Sequence, residues 1–245
     1  MFLLFILSQF HLALHSQPRI SDTVEFVPTV PLFPLPGTVV FPGMTVPLYV
    51  FEERYKHLVK LCLDSDQPRF VIALVSDEDV IRDGHPPFHK VGTFVHILQV
   101  SENPDGTYNL LGHGQERCAI KVSREEMIAD ADGVPRVLYH SEHNSYPLER
   151  GDPNSERLAA WDALDTFRAY AKAFFAFDAL KQIEQVLPED LVYQASFICA
   201  NIRVPVASRQ VLLEAPSLTA RLQLSQKLMQ ERLAAHDASE ESAAK

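Results

Sequence analysis

The run from Val30 to Tyr55, VPLFPLPGTVVFPGMTVPLYVFEERY, limits this chain more than any other stretch. Five prolines and two glycines interrupt β-branched and aromatic residues, so the backbone is extended between sharp corners. Helix is excluded, because proline lacks the N–H donor and its ring collides with the preceding turn. The composition predicts short strands over Thr38–Phe41 and Thr45–Phe51, with Pro42-Gly43 as the turn between them. Pro47 confines the second strand to a sheet edge or to a position whose N–H the ladder does not need. After Phe51 the period changes. Tyr55, Leu58, Val59 and Cys62 fall at i, i+3, i+4 and i+7, one face of a helix, while Glu52, Glu53, Lys56 and Lys60 take the other.

This opening string resembles the first motif of the Lon protease N-terminal domain, the substrate-binding module of ATP-dependent Lon proteases. Later segments follow in that family's order. Pro104-Asp105-Gly106 and then Leu110-Leu111-Gly112-His113-Gly114-Gln115-Glu116-Arg117 look like its hairpin and glycine-arginine return strand. Leu187-Pro188-Glu189-Asp190 and Gln210-Val211-Leu212-Leu213-Glu214 look like its helical part. The resemblance covers roughly residues 28 to 233. It implies an α+β fold, with an N-terminal curled β-sheet or pseudo-barrel of PUA-like type followed by a C-terminal helical bundle.

The residues carry the same division without the resemblance. Phe70–Ser76 is a continuous β-branched run that suits a strand buried on both faces. Lys90–Glu102 and Thr107–Val122 read as the arms of a long hairpin, joined by the turn chemistry of Asn103-Pro104-Asp105-Gly106. Neither face of the first arm is purely polar, which predicts a closed or strongly curled sheet. Gly112 and Gly114, on either side of His113, mark a bulge or bend. They do not make a phosphate loop, which needs a third glycine and a following helix. Arg136–Glu142 is one more strand.

The breakers Asn144, Ser145, Pro147, Gly151, Asp152, Pro153 and Asn154 then place a linker over residues 143–155, between a β-rich domain at 27–142 and a helical bundle at 156–236. In the bundle, Ser155 is the expected cap of a helix with the apolar stripe Leu158, Trp161, Leu164, Phe167, Tyr170, Ala171 and Phe174. Pro188-Glu189-Asp190 is expected as the first turn of a second helix, carrying Leu191, Ala195, Ile198 and Ile202 and stopped by Pro205. A short helix follows over Gln210–Glu214. Ser217 caps a last one with Leu218, Leu222, Leu228 and Leu233. Residues 237–245 are acidic and small, and read as a disordered tail.

Residues 1–26 form an uncertain N-terminal extension. Its apolar run is too short and interrupted to span a bilayer, which takes about 20 residues. No Lys or Arg precedes the run and no A-x-A-like site follows it. Three readings stay open: an added segment from an upstream start codon, a targeting signal, or a helix packed on the domain. Localisation is expected to be cytoplasmic, or exported if residues 1–16 act as a signal peptide.

The chemistry is read mainly from what the patterns do not contain. Acidic residues outnumber basic ones 32 to 22, net −10, with no Lys/Arg-rich run, so neither nucleic acid nor membrane is an expected partner. Cys62, Cys118 and Cys199 are scattered in apolar contexts and read as buried reduced thiols. His85 and His89 have two prolines between them, which forbids the helical turn that would aim both at one ion. His140 and His143 lack an evident third ligand and read as surface histidines. There is no G-x-x-x-x-G-K-[ST] and no serine in a glycine-bearing elbow. Lon's ATPase and Ser-Lys protease domains would follow the helical region, where this chain ends. The expectation is therefore no catalytic, cofactor-binding or metal residues and no cofactor.

By resemblance the protein is a non-catalytic polypeptide-binding module, associated with proteolysis and protein quality control. Its partners would be unfolded or exposed polypeptide segments, and a protease or chaperone. The peptide is expected on a sheet edge or in a groove between the halves, with its contact residues and the oligomeric state left open. The rival reading, an RNA-binding PUA-like protein, requires a basic, aromatic-lined face.

Overall fold

The computed structural model describes residues 29–76, 88–175, 183 and 187–243. Among these, seven strands and five helices build an α+β fold, sheet first and helices after. The elements are β1 (Thr29–Leu35), β2 (Thr45–Val50), α1 (Glu53–Leu63), β3 (Arg69–Leu74), β4 (Val91–Glu102), β5 (Tyr108–Ala119), β6 (Val122–Ala129) and β7 (Pro135–Glu142). Then come α2 (Pro153–Phe174), α3 (Leu191–Asn201), α4 (Val206–Glu214) and α5 (Leu218–Ala243).

One sheet holds all seven strands, in the order β2-β5-β4-β3-β1-β7-β6. It curls without closing, since β2 and β6 remain its two edges. Pro47 lies on the edge strand, as its missing donor requires. β3 is parallel to β1, and every other pairing is antiparallel.

The first strand is displaced from its expected place. The ladder runs through Thr29–Leu35, whereas Thr38–Phe41 makes none. β1 tolerates Pro31 and Pro34 because it changes partner: residues 29–31 pair with β7 and residues 32–35 with β3. Each proline therefore needs to serve only one neighbour. Thr38–Phe41 is extended but acts as a bridge between cores. Val39 and Phe41 enter the helical cluster with Phe167, Ile198 and Leu222, while Val40 enters the sheet cluster with Phe33, Tyr55 and Ile72. The Thr93 hydroxyl fixes the crossing by donating to the Val40 carbonyl at 2.6 Å.

The helix after β2 forms as its spacing predicts, with Tyr55, Leu58, Val59 and Cys62 buried. β3 is buried on both faces: Phe70 and Ile72 join one cluster, Val71 and Ala73 another. The long hairpin of β4 and β5 is present, and its register shifts between Thr93 and Val95 and again between Ile97 and Gln99. Gly112 and Gly114 lie within this irregular stretch. A Cβ on Gly114 would stand 2.6 Å from the Phe41 carbonyl oxygen, so glycine there lets the bridge lie against the hairpin. The strand β6 was not anticipated. Its sequence VSREEMIA has an exposed edge position and charges that propensity assigns to loops or helix.

The helices differ from expectation at their starts and on one face. Asp152, three residues before Ser155, caps α2 by accepting from the Ser155 N–H at 2.8 Å. Asp190 caps α3 from outside its first turn, accepting from the Val192 and Tyr193 N–H groups. The short helix begins at Val206, after Pro205. Ser217 does cap α5, accepting from the Ala220 N–H at 3.1 Å. On α2 the buried apolar residues are Ala160, Ala163, Phe167, Tyr170 and Ala171, while Leu158 and Trp161 are each 63% exposed. Small residues thus face the core at the start of α2, and the larger apolar ones turn outward. The last helix continues to Ala243, into the stretch 237–245 expected as a disordered tail.

The segment before α2 is packed. Tyr146 donates its N–H to the Arg117 carbonyl at 2.9 Å, and Leu148 is buried among the helices. Residues 1–28, including the whole N-terminal extension at 1–26, lie outside the described residues, as does His85. Among the described residues no helix is long and apolar enough to cross a membrane.

Candidate functional site

A cleft of about 630 Å³ opens where the sheet meets the helices. One wall is the Pro42-Gly43 turn with Met44 and Thr45, at the entry to edge strand β2, together with His113 of β5. The other is α3 and the residues just before it, with Tyr193, Phe197, Ala200 and Asn201 behind Pro188, Glu189 and Asp190.

Local chemistry puts each wall in place. Pro42-Gly43 turns the chain at Gly43, whose φ of 86° is costly for a residue with a Cβ. The turn is tied to β5 by paired backbone bonds, Gly43 N–H to Gly114 O at 2.8 Å and Gly114 N–H to Met44 O at 2.7 Å. The opposite wall starts at a definite point because Asp190 caps α3, and Pro188 precedes it outside the helix. Ala195 and Ile198 of α3, with Ile202 just after it, face the helical core. Tyr193, Phe197 and Ala200, at i, i+4 and i+7, form a second apolar stripe and line the cleft. Tyr193 is 44% exposed, and its ring lies over Gly43.

The lining combines apolar surface with a few polar groups and contains no Lys or Arg. It is therefore not the basic face that single-stranded RNA requires. Asn201 is engaged by donating to the Phe197 carbonyl at 2.8 Å, and Asp190 is engaged at the helix cap. Among the lining residues nothing forms a nucleophile with its base, and the arrangement is suited to holding a ligand. A ligand of drug-like or short-peptide width fits a cleft of this size.

Of the residues read from sequence, the structure brings Pro42-Gly43, His113 and Pro188-Glu189-Asp190 together at this one place. Met44, Tyr193 and Phe197 were not singled out. Their signal is the second apolar stripe of α3, visible once Ala195, Ile198 and Ile202 are assigned to the core.

The histidines lie elsewhere, and one needs correction. His140 is 3% exposed and so is not a surface residue, whereas the His143 side chain is 25% exposed. The Glu126 carboxylate of β6 sits 3.0 Å from Nε2 of His140 and 3.0 Å from Nε2 of His57 on α1, and Arg124 donates to it at 2.7 Å. Burial opposes the charge on Glu126, but the His140 hydrogen bond and the neighbouring His57 and Arg124 outweigh it and hold the carboxyl below its usual range. Burial, followed by the Arg124 charge, lowers His140, with Glu126 acting against them. His143 contacts Arg69 at 3.1 Å and lies edge-on to Phe94. His89 lies 3.3 Å from Glu214. Among the described residues no three or more His, Cys, Asp or Glu side chains are arranged to hold a metal ion. Cys62, Cys118 and Cys199 are buried and unpaired, and burial pushes each thiol up to about 12.

Comparison with known proteins is consistent along nearly the whole described chain. The profile of the ATP-dependent protease La (LON) substrate-binding domain matches residues 29–231. The chain is 26% identical over 198 residues to the Lon protease of Rhizobium meliloti, covering 80% of this chain and 23% of that protein. It is 26% identical over 220 residues to the Lon protease of Escherichia coli K12, covering 88% of this chain and 26% of that protein. It thus spans about a quarter of the length of such relatives. Among solved structures, the N-terminal domain of Mycobacterium avium complex Lon protease superposes with a TM-score of 0.61 at 19% identity, covering 83% of this chain and 98% of that one. The Lon N-terminal domain protein from Xanthomonas campestris gives 0.51 at 23% identity, covering 80% and 96%. These superpositions establish the common fold.

Proposed function

The chain belongs to the ATP-dependent protease La (LON) substrate-binding domain family, and from that premise we propose that it is a non-catalytic module binding exposed segments of other polypeptides in the cleft between sheet and helices. The observation that carries this reading is the cleft itself, with apolar walls, edge strand β2 at one end and the second stripe of α3 opposite. An extended segment laid along it keeps main-chain contact with β2 near Thr45 and sets apolar side chains against Met44, Tyr193 and Phe197. The activity belongs to proteolysis-associated quality control, beside an ATP-dependent protease or a chaperone. Three buried, unpaired thiols fit a reducing compartment, which supports a place in the cytoplasm.

Fluorescence anisotropy with labelled apolar peptides tests the reading. Tyr193→Glu places a charge on the exposed wall and is expected to weaken binding about tenfold or more, equivalent to roughly 1.4 kcal/mol. Unchanged affinity in that variant, with the fold intact, would remove the cleft as the site. Incubation with ATP and casein is expected to release no fragments, and ATP-dependent cleavage would overturn the non-catalytic assignment.

A further inference from the structure

Two buried arginines meet beneath the junction of sheet and helices, neither bonded to a carboxylate among the described residues. Arg117, on β5, is 3% exposed and Arg221, on α5, is fully buried. Arg117 Nη1 donates to the carbonyls of Leu213 and Ala215, the latter at 2.8 Å. Arg221 donates through Nε to Leu212 O and through Nη2 to Leu213 O, each at 3.0 Å. These carbonyls cluster at the C-terminal end of α4, where the helix dipole supplies roughly half a negative charge against two full positive ones. Arg117 also lies over the Tyr146 ring at 4.7 Å and Arg221 over Phe41 at 5.7 Å, contacts that stabilise a cation without neutralising it. Burial, then the Arg221 charge, draws Arg117 down from 12.5 to about 10, still protonated at neutral pH. Each guanidinium keeps one buried nitrogen without a partner, Nη2 of Arg117 and Nη1 of Arg221. Buried donors are paired in the great majority of cases, and buried charges almost always find a counterion.

Both arginines line a recess of about 370 Å³ that shares Pro42, Asp190 and Tyr193 with the cleft. The other charged groups lining the recess are occupied. Glu116 accepts from the Ser145 hydroxyl at 2.8 Å and faces His143 at 3.6 Å. Arg150 chelates Glu156, with Nη2 at 2.7 Å, and Asp190 caps α3. With Arg150 neutralised by Glu156, Arg117 and Arg221 are the guanidiniums lining the recess that have no bonded carboxylate among the described residues.

We propose that this recess binds a carboxylate of the polypeptide lying in the cleft, held by the guanidinium charges of Arg117 and Arg221 that line it. This rests on the cleft reading. A guanidinium fork matches a carboxylate in plane and spacing, and a recess of this size takes the last residue of a chain or one acidic side chain. Continuity past Tyr193 lets the same peptide occupy both spaces.

Anisotropy with three labelled versions of one apolar nonapeptide provides the test: the free acid, its C-terminal amide, and the amide with an internal glutamate. The free acid is expected to bind about tenfold more tightly than the amide, a preference abolished in Arg117→Gln. A glutamate-bearing amide that matches the free acid supports the site and assigns the carboxylate to a side chain. Equal binding of all three by the wild type overturns the proposal and leaves the cleft standing.

Arg117→Gln also loses carbonyl contacts, so a second measurement uses the unsubstituted protein. The side-chain Nε–H resonances of Arg117 and Arg221 are followed by NMR during titration with N-acetylphenylalanine and then with its amide. Movement with the acid alone supports the site, even if no peptide binds and the cleft reading falls. No movement with the acid overturns it.

Discussion

The ring of Tyr193 rests on Gly43: a Cβ added to that glycine would stand 2.7 Å from Cδ1 and 3.3 Å from Cε1. This contact joins the Pro42-Gly43 turn to α3 and sets the width of the cleft. Gly43→Ala imposes both a collision and a left-handed backbone at φ 86° on a residue with a side chain. Urea denaturation is expected to show a loss of about 1–3 kcal/mol. Adding Tyr193→Ala relieves the collision but leaves the backbone strain, so the double variant recovers only part of the loss. Full additivity of the two substitutions would show that the contact has no energetic weight.

Thr93 holds the bridge between the two cores. Its hydroxyl donates to the Val40 carbonyl at 2.6 Å inside a buried environment. Thr93→Val keeps the shape and the strand propensity but leaves that carbonyl without its donor. The expected cost is about 1–3 kcal/mol in chemical denaturation. A change within error would mean that water or a backbone shift satisfies Val40 instead.

The three thiols are expected to be inert in the native protein. Burial pushes Cys62, Cys118 and Cys199 each up to about 12, which leaves almost no thiolate at pH 8. A colorimetric disulfide reagent should titrate none of them rapidly until urea is added, and then all three. Rapid labelling of any one without denaturant would contradict its burial.

Acid should destabilise the fold in two steps of the same sign. His140 has its folded value below the ordinary 6.5, so as pH falls through 6.5 the unfolded chain takes a proton that the folded chain resists. Stability declines over that window. Glu126 is held below its ordinary 4.5, so its pairing with His140, His57 and Arg124 is fully present above 4.5 and is lost as pH falls through the folded value. Urea midpoints measured from pH 7.5 to 3.5 should fall throughout. In His140→Gln the decline that starts near 6.5 should flatten, leaving the carboxylate step. An unchanged profile in that variant would remove His140 from the account.

Legibility in the sequence follows the range of the forces involved. The helix after β2, β3 and the β4–β5 hairpin were legible because their apolar period or turn residues act within a few positions. β6 was not, since Arg124, Glu125 and Glu126 oppose strand propensity and are accommodated by an exposed edge and by pairing with β7. Leu158 and Trp161 match a helical stripe, yet Ala160 and Ala163 face the core because α5 packs closely against that side. The site was half visible. Pro42-Gly43 and Pro188-Glu189-Asp190 stand out as chain corners, but nothing local says that they face each other.

What the residues determined alone is the succession of a β-rich half and then helices, and the restriction of Pro47 to an edge or to an unused ladder position, since a missing donor and an apolar period act wherever the chain goes. They also specify a chain that turns at Pro42-Gly43 and begins a helix close to Pro188-Glu189-Asp190, whose start the structure puts after Asp190. The tertiary structure alone decided that β1 changes partner between Pro31 and Leu32, that Val39, Val40 and Phe41 alternate between two cores, and that Tyr193 closes on Gly43. Those outcomes depend on contacts between residues far apart in sequence, where shape and burial choose among extended segments that local preference leaves equivalent.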